Sequence, residues 1–229
     1  MPVGKNRRRR LCVNSAVDVE LPKPLLRGVF HQWAFFAAFA AGIALVVLAD
    51  GVRERFASWV YAAALAAMFG ASAIYHRVDW RTPARRAWAR RLDHSTIFLF
   101  IAGTYTPFAL LAFEGASAAA LLAVVWVGAL FGLAVNLCWI DAPKWAATAS
   151  YLAVGWVGVL AAPQLLSKLG VAAAVLVVVG GLLYTAGAVI YGLRRPDPFP
   201  AVFGYHELFH VLVIAAAAAQ FVAVSLVVL

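Results

Sequence analysis

Seven apolar stretches of about 20 residues follow one another along this chain, each long enough to cross roughly 30 Å of hydrocarbon as a helix. They run from about Val29 to Ala49, Phe56 to Tyr75, Ser95 to Phe113, Ala116 to Cys138, Trp145 to Leu166, Val171 to Leu193 and Tyr205 to Val228. A backbone in lipid finds hydrogen-bond partners only within a helix or a closed barrel, and unbroken apolar runs lack the alternation of barrel strands. The expected fold is therefore all-α, a polytopic membrane protein built as a seven-transmembrane-helix bundle. Hydrophobic residues make up 65% of the 229 positions and charged residues 13%, with mean hydropathy +0.87, which excludes an ordinary soluble domain.

A net charge of +9 raises the question of a nucleic-acid partner, and the placement of the charge answers it. With the N-terminus in the cytoplasm, about 16 of the Lys and Arg residues fall inside (Lys5, Arg7 to Arg10, Lys23, Arg27, six arginines from Arg77 to Arg91, Lys144, Arg194, Arg195) and about 3 outside (Arg53, Arg55, Lys168). This asymmetry is the positive-inside signature of a multi-pass protein of the plasma (inner) membrane, and it leaves no role for nucleic acid. An odd number of spans then puts the C-terminus outside. The run Arg7 to Arg10 also suits contact with anionic headgroups.

Residues 1–27 form a basic cytoplasmic tail, and residues 28–229 the transmembrane domain. Leu11 to Pro24 contains Asn14, Asp18 and Glu20 and makes no apolar signal-peptide core, so the first span is expected to remain in the mature protein. Cys12 and Cys138 both fall on the predicted cytosolic side, where a disulfide is not expected. The stretch Arg77 to Arg91 reads as the one long loop. Pro107, Gly155 and Gly158 are candidate helix kinks, Gly128 and Gly132 form a GxxxG packing motif, and Trp and Tyr residues at span ends read as interfacial anchors.

Ionisable residues inside such spans are expensive and mark function. His206 and His210 are one helical turn apart at the head of the last span, so both rings share a face and can reach one metal ion. The topology brings further polar residues to the same leaflet: Ser72 and His76 close the second span, and Asp93 and His94 open the third. His76 is thus the best candidate for a third ligand. His94, about 100° from Asp93, reads as a packing or interfacial group. His31, beside Gln32 and Trp33, reads as an interfacial histidine bonded to headgroups.

Three motifs, Ser72-Ala-Ile-Tyr-His76, the segment from Leu92-Asp93-His94 to Thr106-Pro107-Phe108, and Gly204-Tyr-His-Glu-Leu-Phe-His210, resemble the haemolysin III branch of the progestin and adipoQ receptor family. The resemblance implies a zinc ion near the cytoplasmic face held by His76, His206 and His210, with Asp93 holding a zinc-bound water and Ser72 close by. It also implies membrane lipid as substrate or ligand, with ceramidase-like hydrolysis of lipid amides or esters as the leading activity. The competing reading is a non-enzymatic, zinc-stabilised membrane sensor or regulator. A membrane-lysing protein, suggested by the family name, finds no mechanism in a buried three-histidine site. His206-Glu-x-x-His210 also matches the zinc metalloprotease motif with Glu207 as base. Against that, Asp50-Gly51 is external in this topology and does not serve the membrane-embedded protease pattern. Glu207 points about 100° from His206 and is expected to face the cytosolic interface.

Overall fold

The computed structural model describes residues 23–139, 144–160 and 162–229, which fold into helices without a β-strand. In chain order these are α1 (Val29–Leu48), α2 (Val52–Arg77), α3 (Pro83–Leu111), α4 (Gly115–Cys138), α5 (Lys144–Gly155), α6 (Val157–Leu160), α7 (Ala162–Leu193) and α8 (Tyr205–Val228). Among the described residues, six helices are long and apolar enough to cross a membrane. The chain is thus a polytopic helical membrane protein. Residues 1–22, with Cys12 and most of the expected tail, lie outside the described residues; Cys138 is a free, exposed thiol.

Large apolar side chains on α1, among them Trp33, Phe36, Phe39 and Val47, stay exposed on the outer surface, where a bilayer replaces water as solvent. Inward, Tyr61, Phe100, Phe108, Val125 and Val224 form the buried core. Sequential helices pack most extensively, α1 on α2, α2 on α3, α3 on α4 and α7 on α8. The last helix also reaches back to α3, α1 and α2, and this return carries the residues of span seven to those of spans two and three.

Two expectations change. The arginine-rich stretch is not one long loop, because α3 starts at Pro83, well before the apolar run. Thr82 caps it by accepting the Arg85 N–H at 3.4 Å, and proline suits the first helical position, where its missing N–H costs nothing. The expected fifth span, Trp145 to Leu166, is not one helix: α5 ends at Gly155, Trp156 is a turn, α6 is a single turn, and α7 has a non-helical Gly170 at φ 73°. Broken backbone at membrane depth needs substitute partners. Tyr105 of α3 supplies them, its hydroxyl donating to the Gly155 carbonyl at 2.5 Å and accepting from the Gly158 N–H at 2.8 Å. Kinking at Gly155 and Gly158 therefore has a built support. The GxxxG pair is divided between two partners, with Gly132 against Phe98 of α3 and Gly128 against Val154 of α5.

Candidate metal centre

One end of the bundle collects the starts of α1, α3 and α8 and the ends of α2 and α7. Gly28 enters α1 at φ 78°, a left-handed conformation that glycine adopts without penalty. A Cβ there would stand 2.5 Å from the His76 Cβ, so the chain before α1 lies directly on the end of α2. Leu25 and Leu26 N–H groups bond to the Ala201 and Val202 carbonyls at 3.1 and 3.2 Å, and Lys23 donates to the His76 carbonyl. Partial burial lowers the Lys23 pKa from its ordinary range. Residues 23–28 thus strap the end of α2 to the α7–α8 connection.

Beneath the strap, His76, His206 and His210 each offer a ring nitrogen, and these atoms lie within 4.8 Å of one another. His76 Nε2 and His206 Nε2 are 3.2 Å apart. Two nitrogens bound to one tetrahedral zinc ion at 2.0–2.1 Å stand about 3.3 Å apart, so the spacing of this pair fits a shared ion. His76 and His210 are buried and His206 is half-buried. The three histidines chosen from sequence do come together and could hold a metal ion. The donor set, three imidazoles and no thiolate, leaves a coordination position open on a tetrahedral ion.

Asp93 and Ser72 stand alongside. Asp93 Oδ2 is 3.7 Å from His76 Nε2 and 3.8 Å from His94 Nδ1. His94 remains outside the cluster, its Nδ1 donating to the Arg90 carbonyl at 2.8 Å, in keeping with a packing role. Ser72 Oγ lies 2.8 Å from His31 Nδ1 and interacts with the Asp93 carboxyl.

His31 is therefore not the interfacial group its sequence neighbours suggested. It is buried at 3% exposure and stacks on His210, ring centroids 3.7 Å apart and planes 6° from parallel. Its position three residues inside the first span, in a chain with five histidines, was the available signal. The expectation for Glu207 is also overturned. Its side chain is fully buried: Oε1 pairs with the Arg27 guanidinium, and Oε2 accepts the Gly204 N–H at 2.9 Å, closing the start of α8. The face 100° from His206 is covered by the strap, which no helical wheel reveals. A buried carboxylate here also neutralises Arg27, which otherwise sets a positive charge beside nitrogens suited to a cation.

From this cluster a cavity of about 430 Å³ runs between α3, α5, α7 and α8. His31, Ser72, Asp93, His206 and His210 line one end, and Phe100, Phe108, Leu121 and Val177 line its length. Its size is that of a small-molecule site and its walls are mostly apolar.

A model of the Haemolysin-III related family matches residues 19–221. The Hemolysin-3 homolog of Bacillus subtilis is 33% identical over 130 residues, 57% of this chain and 58% of that relative. Hemolysin-3 of Bacillus cereus is 33% identical over 138 residues, 60% of each chain. Matches to these two bacterial relatives thus span about three-fifths of their length. The human monocyte to macrophage differentiation factor is 25% identical over 197 residues, 85% of this chain and 79% of its own.

Proposed function

This chain belongs to the haemolysin III family, a branch of the progestin and adipoQ receptors, and on that premise we propose that it is a zinc protein that hydrolyses lipid amides or esters. The observation that carries this reading is the convergence of three imidazole nitrogens beside a carboxylate, next to an apolar cavity that His206, His210, Asp93 and Ser72 line. His76, His206 and His210 hold the ion. Bound there, zinc supplies Lewis acidity toward a carbonyl and lowers the pKa of water to about 7.

The chain's own groups do the rest. Asp93 Oδ2 takes the proton of the attacking water and passes it to the leaving group. Ser72, held 2.8 Å from His31 Nδ1, offers its one hydroxyl proton to the developing oxyanion. Phe100, Phe108 and Leu121 seat an acyl chain and exclude water. Protease chemistry at the His-Glu-x-x-His motif finds no base, because both Glu207 oxygens are engaged. A purely structural zinc is the second reading, favoured by direct contacts that already join α1, α2, α3 and α8 at the cluster.

The proposed topology is seven crossings, with residues 1–27 a cytoplasmic tail of the membrane-embedded domain 28–229 and the centre near the cytoplasmic face of the plasma membrane. Support for the seventh crossing comes from contacts along α5 and α6. Tyr151 meets the His94 carbonyl and Gly155–Gly158 meet Tyr105, so this segment runs parallel to α3, while Lys168 lies 3.5 Å from Glu114 at the opposite end.

The test is zinc content together with hydrolysis of a panel of lipid amides and esters. Asp93→Asn is expected to keep its metal and lose turnover, since the residue is no ligand in this reading. Full turnover in Asp93→Asn overturns the assignment of the base. Absence of turnover in metal-loaded wild type favours the structural reading.

A further inference from the structure

Gln220 lies well beyond His210 on the last helix, roughly 15 Å along α8, which is half the thickness of a hydrocarbon layer. It is 6% exposed, and a polar side chain at such depth is costly. Part of its amide is accounted for, because Nε2 donates to the Val177 carbonyl of α7 at 3.1 Å. Gly180 makes room for the group, since a Cβ there would stand 2.6 Å from Nε2. The remaining oxygen, Oε1, is buried and accepts no hydrogen bond among the described residues.

Tyr184 belongs to the same region. It sits one turn beyond Gly180 on the same face of α7, and a helical side chain leans over the turn before its own Cα, toward Gly180 and the amide packed there. Its hydroxyl is likewise buried without a hydrogen-bond partner among the described residues. Both residues line the cavity that starts at the histidine cluster. Two other hydroxyls in that lining are engaged, Thr104 donating to the Phe100 carbonyl at 2.8 Å and Thr185 to the Gly181 carbonyl at 2.7 Å. Tyr184 and Gln220 therefore hold one unused donor and one unused acceptor, the complement of a hydroxyl group.

We propose that Tyr184 and Gln220 form a recognition point for a hydroxyl borne partway along an acyl chain, so that the cavity selects hydroxylated over unsubstituted chains. This rests on the reading that the cavity seats an acyl chain with its carbonyl at the histidine cluster. The phenol donates to the ligand's hydroxyl oxygen, and the ligand's O–H donates to Gln220 Oε1. Both protein atoms lie just under the wall, and side-chain adjustment of the kind common on binding presents them to the cavity. An extended chain gains about 1.2 Å per bond, so a depth of roughly 15 Å places the recognised hydroxyl about 12 bonds from the carbonyl.

Displacement of radiolabelled stearate from zinc-loaded, full-length protein in detergent measures the preference through binding alone. Wild type is expected to bind 12-hydroxystearate about tenfold more tightly than stearate, the effect of two hydrogen bonds made in an apolar site. No such gain is expected for 18-hydroxystearate, whose hydroxyl passes the pair. Tyr184→Phe, which keeps the ring, and Gln220→Met, which keeps the side-chain length, are each expected to lower the ratio of 12-hydroxystearate to stearate affinity by about threefold. Tyr61→Phe removes another buried, unpartnered hydroxyl whose residue is not in the cavity lining, and is expected to keep the ratio. A ratio of one in wild type, an equal gain from the terminal hydroxyl, or an equal fall in Tyr61→Phe overturns the recognition point, as does stearate that fails to bind saturably. Turnover is followed separately. A hydroxyl preference in protein without turnover supports the recognition point while the hydrolase reading falls, and turnover with a ratio of one removes the recognition point and leaves hydrolysis standing.

Discussion

Replacing Glu207 by glutamine probes the strap and the helix start together. The native carboxylate accepts from two donors, the Arg27 guanidinium and the Gly204 N–H. An amide retains one accepting oxygen and turns an N–H₂ toward the other donor, so one bond is lost and two donors face each other. Breaking a buried ion pair by removing one partner costs about 3–5 kcal/mol. Arg27 keeps 21% of its side-chain exposure and recovers part of its hydration, which brings the expected loss to about 2–3 kcal/mol. For a chain of this size that corresponds to a fall of roughly 4–12 °C in melting temperature. Thermal unfolding in detergent measures it, with zinc content and turnover followed in parallel. Turnover per zinc-loaded molecule is expected to hold, because Glu207 touches no reacting atom in the proposed arrangement. A melting temperature unchanged from wild type would refute the buried-pair reasoning, and selective loss of turnover at unchanged stability would return Glu207 to the role of base.

Purified protein is expected to carry about one zinc per chain, with His76→Ala, His206→Ala and His210→Ala each lowering metal content and thermal stability together; unchanged zinc in any two of them refutes the three-histidine centre. Tyr105→Phe strips the Gly155 carbonyl and the Gly158 N–H of their partner and is expected to destabilise by about 1–3 kcal/mol without changing zinc content. An unaffected unfolding midpoint would mean that the break between α5 and α6 is satisfied in another way. A tag before residue 1 is expected to be cytosolic and one after Leu229 external, as read by protease protection in oriented vesicles; a cytosolic C-terminus removes the seventh crossing.

Hydrocarbon imposes its demands one segment at a time, which is why so much of the architecture was legible in the chain. A run of apolar residues must satisfy its own backbone, so run length alone implied helices at Val29, Ala116 and Tyr205. The pairing of His206 with His210 follows from the helical period, and the convergence with His76, Asp93 and Ser72 follows from alternating span direction. These are properties of spacing and parity, and they needed no packing. Local backbone chemistry was legible but outweighed by charge at Thr82-Pro83, where six arginines suggested a loop and a capped helix start is found.

What lies against a given helix face is a relation between distant segments, and only the tertiary structure decided it. Glu207 was placed correctly around α8, yet whether that face meets water or protein depends on residues 23–28, some 180 positions away. His31 looked interfacial among Gln32 and Trp33, but the return of α8 against α1 puts its ring on His210 and its Nδ1 on Ser72. The break at Gly155 persists because Tyr105 of another helix supplies the hydrogen bonds that lipid cannot. Periodicity specifies which direction a side chain takes; the neighbour waiting in that direction is set by how the helices pack.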